Sequence, residues 1–401
     1  MDFRTRTNTN HEVVLGKLIL ICDLCLTGEL SPTLDLGTYS PANSLKVKTD
    51  LKLIVAVCNH CSTVHIPNRF PKEITFPRDY PFRSNVTKAL KLNFESLADV
   101  IESIVPATSS IIEIGSNDGI LLGILRSKGY RVTGVEPTSA ALETPTGIPV
   151  IKEFFEDCDI SKKYNGVILT NTFAHMDDQN ATLKKIKEIL LNNGLLIIEV
   201  VDLDAMFEKN EFDKFTHEHK VYFDHNTLRN LVASHGFQEI YSEKIPTHGG
   251  SIRCIFQLTG ESFKIPKLSD QVVLDKFQSM KAALTRISAE VNLEISKAQK
   301  LGMDLFLAGA TTRGVTLMRS LEVDAEGFYG ILEKPESKRI DTVMPNIGLL
   351  VRNENEISLY ANPFVLILAW HVADELIANL KKISSNITFL VPLPNPRLVV
   401  T

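Results

Sequence analysis

The stretch SSIIEIGSNDGILLGILRSKGYRVTGVEP predicts a strand, a glycine-containing turn, a helix and a second strand in direct succession. Apolar residues fill the strand-like run, and after the turn they recur at helical spacing. The later apolar runs GVILTN and GLLIIEV flank another helical stretch. Because parallel strands need a crossover connection that is usually a helix, this alternation predicts an α/β fold with a parallel sheet.

Changes of pattern along the chain predict three domains. Residues 1–80 hold paired cysteines and form the predicted zinc-binding domain, and residues 81–262 hold the alternation described above. Residues 263–401 begin with a long charged helical stretch and continue with a second, smaller strand and helix set. We therefore expect a Rossmann-like central domain and a smaller Rossmann-like α/β domain at the C-terminal end.

The cysteines are unevenly distributed. Four of the six form two C-x2-C pairs separated by 32 residues, which are Cys22, Cys25, Cys58 and Cys61. Two such turns can complete the tetrahedral sulfur shell that zinc prefers, and four protein ligands leave no open position for chemistry. The pattern thus predicts a structural zinc ion, with His60 and His65 as alternative ligands. Cys158 and Cys254 are isolated, and we expect them to be core thiols.

Composition excludes several classes of protein. The 401 residues carry 43 basic and 48 acidic side chains, for a formal net charge of −5, without a basic run. This balance argues against a partner bound through phosphate-backbone electrostatics. No uninterrupted apolar segment reaches the roughly 18 residues of a membrane span. We expect a cytoplasmic protein that binds neither nucleic acid nor membrane, with a monomer favoured.

The turn after the first strand of the central domain lacks the G-x-G-x-x-G pattern of dinucleotide sites. Its glycines are Gly115 and Gly119, and the acidic residues Glu113 and Asp118 stand beside them. Acidic groups repel a pyrophosphate but suit a cofactor with a cationic amino group, such as S-adenosylmethionine (SAM). Glu136, at the end of the next strand, can accept hydrogen bonds from ribose hydroxyls. The candidate cofactor-binding residues are Glu113, Gly115, Ser116, Asn117, Asp118, Glu136, Pro137 and Asn171.

Titratable residues concentrate near the ends of later strands. The segment His217-Glu218-His219 follows GLLIIEV, and His175 follows GVILTN. The carboxyl edge of an open α/β sheet is where ligands bind. Histidine titrates near physiological pH, so this cluster predicts general base chemistry. His248 lies in a further glycine-containing turn, HGGSIR.

These motifs occur together in a known order. The paired C-x2-C turns, EIGSNDGILL, GVEP, NTFAH, HEH-x-x-YF, HGGSIR, GATTRG and ILAW follow the order seen in the sugar C-methyltransferases. The chain resembles, over nearly its whole length, the enzymes that C-methylate nucleotide-linked 4-keto-deoxysugars. The resemblance implies a three-domain enzyme that binds zinc, depends on SAM and holds a nucleotide sugar partly with its C-terminal domain.

The resemblance also implies residue roles. Family members carry Y-x-E-H, with the histidine as base for the C3 proton, and the matching residues are Thr216, His217, Glu218 and His219. Threonine thus replaces the tyrosine. Tyr80, or Phe82, matches an aromatic position near cofactor and sugar, and Arg313 stands at the lysine of G-A-x-x-K-G. The candidate catalytic residues are His219, Glu218, His175, Thr216 and Tyr80, and the candidate substrate-binding residues are Tyr222, His248 and Arg313.

The sequence thus predicts a SAM-dependent C-methyltransferase acting at C3 of a dTDP-linked 4-keto-6-deoxysugar. Glu218 would hold His219 as the base that generates an enolate, and donors such as His175, Thr216 or Tyr222 would stabilise the oxyanion. A diphosphate would bind at the Gly309–Gly314 turn beside Arg313. The alternatives are a sugar O-methyltransferase and a catalytically impaired homologue that binds a nucleotide sugar or SAM.

Overall fold

The computed structural model describes residues 11–14, 17–40, 50–84 and 88–400. The elements before the central sheet are β1 (His11–Val14), β2 (Lys17–Leu20), β3 (Leu30–Tyr39), β4 (Leu51–Cys58), β5 (Val64–His65) and α1 (Lys72–Thr75). The next elements are α2 (Lys88–Ile104), β6 (Ser110–Ile114), α3 (Ile120–Ser127), β7 (Arg131–Val135), β8 (Val150–Ile151), β9 (Tyr164–Thr170), α4 (Gln179–Ile189), β10 (Leu190–Val201), α5 (Leu203–Glu208), β11 (Val221–Tyr222), α6 (His225–Ala233), β12 (Phe237–Ile245) and β13 (Ser251–Leu258). The last elements are α7 (Gln271–Lys300), β14 (Asp304–Ala308), α8 (Thr312–Ser320), β15 (Phe328–Glu333), β16 (Val351–Asn353), β17 (Pro363–Ile367), α9 (Ala373–Ile383), β18 (Thr388–Val391) and β19 (Arg397–Val400).

The central sheet has the strand order β12-β13-β10-β9-β6-β7-β8. Strands β6 to β10 run parallel to one another, whereas β13 runs antiparallel to both β10 and β12. Every residue of β6 is buried, as the continuous apolar run predicts for a strand covered on both faces. The carboxyl ends of β6, β7, β9 and β10 therefore lie along one edge, where ligands of open α/β sheets bind.

Helices cover the two faces of this sheet. Alternate residues of β6 enter opposite cores, since Ile111 packs with Leu97 of α2 while Ile112 packs in the cluster that contains Leu183 and Ile186 of α4. This alternation follows from the two-residue period of a strand. The arrangement is a Rossmann-like α/β fold with one antiparallel strand near its edge, and it confirms the fold expected for the central region.

A small hairpin connects the cysteine pairs with the histidine segment. β4 ends at Cys58, and β5 pairs antiparallel with it through Ala56 opposite His65. β5 pairs on its other side with β11, so that His65 also lies opposite Val221. Because β11 begins two residues after His219, the strand that follows the second cysteine pair is hydrogen-bonded to the strand that follows the histidines.

The C-terminal sheet has the order β16-β15-β14-β17-β18-β19, parallel except for β19. The chain leaves β14 toward β15 on one side and later returns to β17 on the other. The crevice of such a sheet lies at the carboxyl ends of these two diverging strands. Gly309 and the N-terminus of α8 follow β14 at this point, and Trp370 follows β17. This is the second α/β set that the sequence predicts.

Contacts divide the chain into two compact units. The first unit comprises Met1–Pro32, Ala56–Leu203 and Glu218–Val272, and the second comprises Thr33–Val55, Asp204–His217 and Val273–Thr401. The division between them falls inside the histidine segment, after His217. The three-domain division at residues 80 and 262 stays a prediction. Within the residues that the structure describes, no helix combines the length and the apolar character needed to cross a bilayer.

Candidate active site

The turn between β6 and α3 is tight and closely packed. Gly115 has a φ of 73°, a conformation that side chains disfavour. A Cβ added there would lie 2.4 Å from Thr172 Oγ1, in the segment that follows β9. Gly119, with a φ of 71°, precedes the first turn of α3. Glycine at position 115 thus lets the turn lie directly against the carboxyl end of β9.

Carboxylates concentrate at this turn. Glu113 is fully buried, and its Oε1 accepts a hydrogen bond from Thr170 Oγ1 (3.2 Å). Burial raises the pKa of Glu113 well above its ordinary value, and the carboxylates of Asp118, Glu136 and Glu199 raise it further. Because a cation would relieve this repulsion, the site is electrostatically suited to a positively charged ligand.

Glu136 lies where the sequence predicts, directly after β7. Its Oε2 accepts from the backbone N–H of Asn117 (3.0 Å), and its Oε1 accepts from the backbone N–H of Thr138 (2.9 Å) and from Thr138 Oγ1. These bonds fix the carboxylate against the turn. A carboxylate has about four acceptor positions, so one hydroxyl donor can still be accommodated. Pro137 continues the same loop.

Several buried polar atoms at this edge have no hydrogen-bond partner within the described chain. They are Glu113 Oε2, Ser116 Oγ and Asn171 Oδ1. Buried polar groups are normally satisfied, so unsatisfied ones grouped at a ligand edge need an explanation. A ligand that carries an ammonium group and hydroxyl groups offers the missing donors. The residues present therefore fit the amino acid and ribose parts of SAM.

Tyr80 lies between this turn and the histidine segment. Asn117 Nδ2 donates to the carbonyl of Phe82 (3.3 Å). This bond holds the Tyr80 loop beside the turn between β6 and α3, which we call the cofactor turn. Burial raises the pKa of Tyr80, and the carboxylates of Glu218 and Glu136 raise it further. The Glu218 carboxylate lies close enough to the Tyr80 hydroxyl to raise its pKa, whereas the Phe82 side chain is exposed. Of the two aromatic candidates, the structure places Tyr80 at the site.

Two histidine rings are in contact near the carboxyl edge of the central sheet. The ring centroids of His175 and His219 are 4.4 Å apart, and the ring of Tyr222 stacks on His219 at 5.3 Å. Phe76 covers His175 at 5.1 Å. Residues that are 44 positions apart in the sequence are thereby brought into contact.

The hydrogen bond of His175 defines its tautomer. Its Nδ1 lies 2.8 Å from the carbonyl oxygen of Glu218, and a carbonyl can only accept, so Nδ1 carries the proton. Burial lowers the pKa of His175 to about 4, so the ring is neutral at pH 7. Nε2 then has a lone pair and accepts protons rather than donating them. The expected donation from His175 to a substrate oxyanion would therefore need a protonated ring.

The other half of the histidine segment belongs to the second unit. His217 is buried, its Nε2 donates to the backbone carbonyl of Lys52 (3.2 Å), and its ring contacts Tyr39 edge-on at 6.2 Å. Burial lowers the pKa of His217. These contacts give His217 a packing role. Thr216 precedes it in the same segment and is partly exposed.

His248 lies in the turn between β12 and β13. It is exposed and has a φ of 54°. The turn lies beside the end of β10, because the backbone N–H of Asp202 donates to the carbonyl of Gly250 (3.1 Å). His248 is therefore at the ligand edge of the sheet, as its predicted substrate role requires.

Arg313 lies in the first turn of α8, in the crevice of the C-terminal sheet. Thr311 caps this helix by accepting from the backbone N–H of Gly314 (3.0 Å). The Arg313 guanidinium pairs with the buried carboxylate of Asp213 through Nη2 (2.9 Å) and Nε (3.0 Å). Trp370 Nε1 donates to the same carboxylate oxygen (2.9 Å). Arg313, which is predicted to bind a phosphate, is thus paired with the carboxylate of Asp213. The sequence does not predict this pairing.

The four cysteines of the paired motifs form one cluster in the first unit. Cys22 Sγ lies 3.8 Å from Cys61 Sγ, and Cys25 Sγ lies 3.6 Å from Cys58 Sγ. All four sulfur atoms lie within 4.8 Å of one another. A tetrahedron with zinc–sulfur bonds of about 2.3 Å has sulfur–sulfur edges of about 3.8 Å. The four-cysteine cluster therefore fits a zinc ion.

The surroundings of the cluster suit thiolates. The backbone N–H groups of Gly28, His60 and Cys61 point at sulfur atoms at 3.3–3.4 Å. A Cβ at Gly28 would lie 2.4 Å from Cys58 Sγ, so only glycine fits. His65 Nε2 lies 3.4 Å from Cys22 Sγ and contacts the cluster from outside. Cys158 and Cys254 lie in the hydrophobic core, as predicted.

Sequence reasoning missed two buried charged groups near the site. Arg253, in the HGGSIR motif, is fully buried and pairs with Glu199 at the end of β10 (2.5 Å) and with Glu243 (2.7 Å). Lys220, directly after His219, is also fully buried and pairs with Asp177. For Arg253 the available signal was a lone charge within an apolar, strand-like run, whereas Lys220, next to Glu218 and His219, offers no such signal.

Comparison with known proteins agrees with this architecture. Residues 82–242 match the family model described as a methyltransferase domain, and residues 246–394 match the model described as the C-methyltransferase C-terminal domain. The chain is 24% identical over 373 residues to C-methyltransferase NovU of Streptomyces niveus, which covers 88% of each chain.

Solved structures show weaker likeness. The PH0226 protein of Pyrococcus horikoshii OT3 has a TM-score of 0.39 and 15% identity, covering 47% of this chain and all of its own. The N-methyltransferase NodS of Bradyrhizobium japonicum WM9, in complex with S-adenosylhomocysteine, has a TM-score of 0.37 and 11% identity, covering 45% of this chain and 93% of its own.

Proposed function

We propose that this chain, which belongs to the sugar C-methyltransferase family, methylates C3 of a dTDP-linked 4-keto-6-deoxysugar with SAM as methyl donor. Both family models and the NovU likeness support a SAM-dependent C-methyltransferase. The choice of sugar and carbon rests on the residue pattern. The observation that carries it is the edge-on contact between the rings of His175 and His219, with Tyr80 near Glu218 and its loop held against the turn after β6.

His219 is the base in this proposal. A ketone at C4 makes the C3 proton acidic, because the carbanion left by its removal delocalises onto the C4 oxygen. His219 takes that proton, and its ring is held between the rings of His175 and Tyr222. A positioned general base accelerates proton transfer by about 10²–10⁴-fold. Glu218 lies next to His219 in the chain and fixes His175 through its carbonyl.

Tyr80 is the proposed donor to the C4 oxygen, and its hydroxyl would turn from Glu218 to the substrate when the sugar binds. Its raised pKa keeps the phenol protonated at neutral pH, so it can donate a hydrogen bond to the developing oxyanion. One such donor is commonly worth about 3–4 kcal/mol of barrier. His175 cannot take this role in its neutral tautomer, for the reason given above. It is instead suited to accept a proton through Nε2.

The cofactor turn holds the methyl donor in the proposed complex. Glu113 binds the ammonium group of the methionine part, and Glu136 binds a ribose hydroxyl. SAM supplies an electrophilic methyl group on sulfur, which the C3 carbon attacks as the carbon–sulfur bond breaks and S-adenosylhomocysteine leaves. Asp118 and Glu199 contribute negative charge around this cation. The proton from C3 remains on His219 and passes to solvent.

We also propose that the four-cysteine cluster binds a structural zinc ion. The sulfur–sulfur distances and the N–H groups directed at sulfur support this. With four sulfur ligands the ion would have no open position for catalysis. In the second unit, Arg313 and the N-terminus of α8 are the proposed contacts for the nucleotide diphosphate, in exchange with or alongside the Asp213 pair.

The test uses purified protein, SAM and a panel of 4-keto sugar nucleotides. We expect a mass gain of one methyl group on the dTDP-linked 4-keto-6-deoxysugar. In D₂O, the enzyme should exchange the C3 hydrogen without SAM, which an O-methyltransferase would not do. His219→Gln should lower kcat by about 10²–10⁴-fold and abolish the exchange.

His217→Gln is the matched control. It lies in the same motif, but its ring packs in the second unit, and glutamine can also donate to Lys52. We expect its kcat to stay within about threefold of wild type. Methylation of none of the sugar nucleotides, or a fully active His219→Gln variant, would show that the proposal is wrong.

A further inference from the structure

Lys220 is a buried lysine directly after the histidine segment. None of its side chain is exposed, and its ammonium group contacts the carboxylate of Asp177, which is about half exposed. Its backbone is also fixed on both sides, because its N–H donates to the carbonyl of Ala174 (2.8 Å) and its carbonyl accepts from the N–H of Ile66 (3.0 Å). Burying a lysine is costly unless its charge is paired, so this arrangement needs a reason beyond local packing.

The position of the ion pair in the chain suggests that reason. Lys220 directly follows His219, and Asp177 comes two residues after His175. One ion pair therefore connects the two segments whose rings meet at 4.4 Å. The hydrogen bond from Lys220 to Ala174 joins the same two segments through the backbone.

We propose that Lys220 is a positioning residue that, through Asp177, holds His175 and His219 in contact. This inference deepens the proposed function and rests on it for the kinetic part of its test. Lys220 does not touch the reacting atoms in this proposal. It acts through the two histidines.

Arg69 connects the Asp177 backbone to the turn that holds the first cysteine pair. Arg69 donates through Nη1 to the backbone carbonyl of Asp177 (3.2 Å) and through Nη2 to Asp23 Oδ2 (2.8 Å). Asp23 lies between Cys22 and Cys25, and Asn180 Nδ2 donates to its carbonyl (2.7 Å). The segment after His175 is thus fastened to the four-cysteine cluster as well as to Lys220.

Charged groups around the ion pair shift the pKa of Lys220. Besides Asp177, the groups that face Lys220 are Arg69, Lys72, Glu73 and Glu156. Burial lowers the pKa of Lys220 to about 7, the cations Arg69 and Lys72 contribute to the lowering, and the carboxylates of Glu156 and Glu73 oppose it. Lys220 therefore carries its full charge in the acidic range where His175 titrates.

His175 faces the ring of His219, the aromatic ring of Phe76 and the carbonyl of Glu218. Burial lowers its pKa most, and the charge of Lys220 lowers it as well. Removing the Lys220 charge should therefore raise the pKa of His175. Replacing a lysine that has a purely structural role elsewhere in the unit should leave the pKa of His175 unchanged.

The experiment compares Lys220→Met, Lys220→Arg and Asp177→Asn with wild type. The first readout is the ring pKa of His175, followed by NMR of protein with labelled histidine rings and assigned with His175→Gln. We expect Lys220→Met to raise this pKa and Lys220→Arg to keep it near the wild-type value. Asp177→Asn disturbs the pair from its exposed end, so it keeps the test available if Lys220→Met does not fold.

The second readout is kinetic. We expect Lys220→Met and Asp177→Asn to lower kcat by up to about 10²-fold with an almost unchanged KM, since a misplacement near 1 Å has an effect of that size. Lys220→Arg should recover most of the loss. The matched control is Lys185→Met, which removes a partly buried lysine bound to the carbonyls of Phe155 and Cys158. It should lower thermal stability and leave the His175 pKa unchanged.

The two readouts separate this inference from the proposed function. If no sugar is methylated but the His175 pKa responds as described, the proposed function is wrong and the positioning role stands. If methylation is observed while Lys220→Met and Asp177→Asn leave both the His175 pKa and kcat unchanged, the positioning role is overturned. A His175 pKa that rises equally in Lys185→Met also overturns it.

Discussion

Replacing Glu113 by glutamine is the sharpest test of the proposed cofactor turn, because the change removes a negative charge with little change in volume. Glu113 is fully buried, and the carboxylates of Asp118, Glu136 and Glu199 already raise its pKa. An ammonium group bound to Glu113 would gain a charge-assisted hydrogen bond worth about 1.5–3 kcal/mol. Loss of that bond corresponds to about 10- to 150-fold weaker binding.

Calorimetry with two ligands isolates this contact. S-Adenosylhomocysteine carries the ammonium group, whereas 5′-methylthioadenosine keeps the adenosine and thioether parts but lacks the amino acid. In Glu113→Gln we expect the first ligand to lose about 10- to 150-fold in affinity and the second to lose less than about twofold. Glu188→Gln is the control, since it removes an exposed carboxylate on α4 and should alter neither affinity.

Glu113→Gln should weaken ligand binding but raise the stability of the protein without ligand. The pKa of Glu113 is raised in the folded chain, so the folded state holds this proton more tightly than the unfolded state does. Stability from this group is present at low pH and is lost as pH rises from the ordinary carboxyl pKa through the raised value. Glu113→Gln removes that loss, and we expect a higher melting temperature than wild type at pH 7 without ligand.

The reasoning is refuted by either of two results. Equal weakening of both ligands would mean that the substitution damages the turn as a whole. Unchanged affinity for S-adenosylhomocysteine would mean that the ammonium group binds elsewhere, even if the melting temperature rises as expected.

Two further substitutions test parts of the first unit that lie outside the turn. Gly28→Ala places a Cβ 2.4 Å from Cys58 Sγ, so we expect the purified variant to contain much less zinc by elemental analysis than Gly166→Ala, where the added Cβ meets only ordinary contacts of 3.7 Å or more. Arg253→Met leaves Glu199 buried without its cationic partner, with only the hydrogen bond from Asn93, and we expect a loss of about 3–5 kcal/mol in urea unfolding. A loss below 1 kcal/mol would contradict that account.

The parts of the fold that the sequence predicts are those set by local pattern. The apolar run of β6 and the glycine turn after it establish a buried strand and the start of a helix, since both depend on residues close in the chain. The cysteine cluster is also predictable, because two C-x2-C pairs together can supply the four sulfur ligands of a zinc site. The structure brings all four sulfur atoms together.

The parts that the sequence does not predict depend on partners that are distant in the chain. Arg313 reads as a phosphate ligand, but it pairs with Asp213, 100 residues away. The tautomer of His175 is set by the backbone carbonyl of Glu218. Every residue has a carbonyl, so the sequence does not indicate which one faces the ring. Lys220 reads as a surface charge next to a histidine, and only the fold shows that it is buried.

Thr216 is the clearest departure from the family pattern, and the position of Tyr80 bears on its consequence. A threonine hydroxyl is too short and too weakly acidic to replace a phenol. Tyr80 provides a phenol next to Glu218, and the carboxylates of Glu218 and Glu136 disfavour its ionisation, so it stays a donor across the neutral range. A donor that only needs to stabilise an oxyanion must remain protonated, and a raised pKa meets that need. The proposed chemistry therefore requires one protonated phenol beside the histidine pair, which Tyr80 supplies without a tyrosine at position 216.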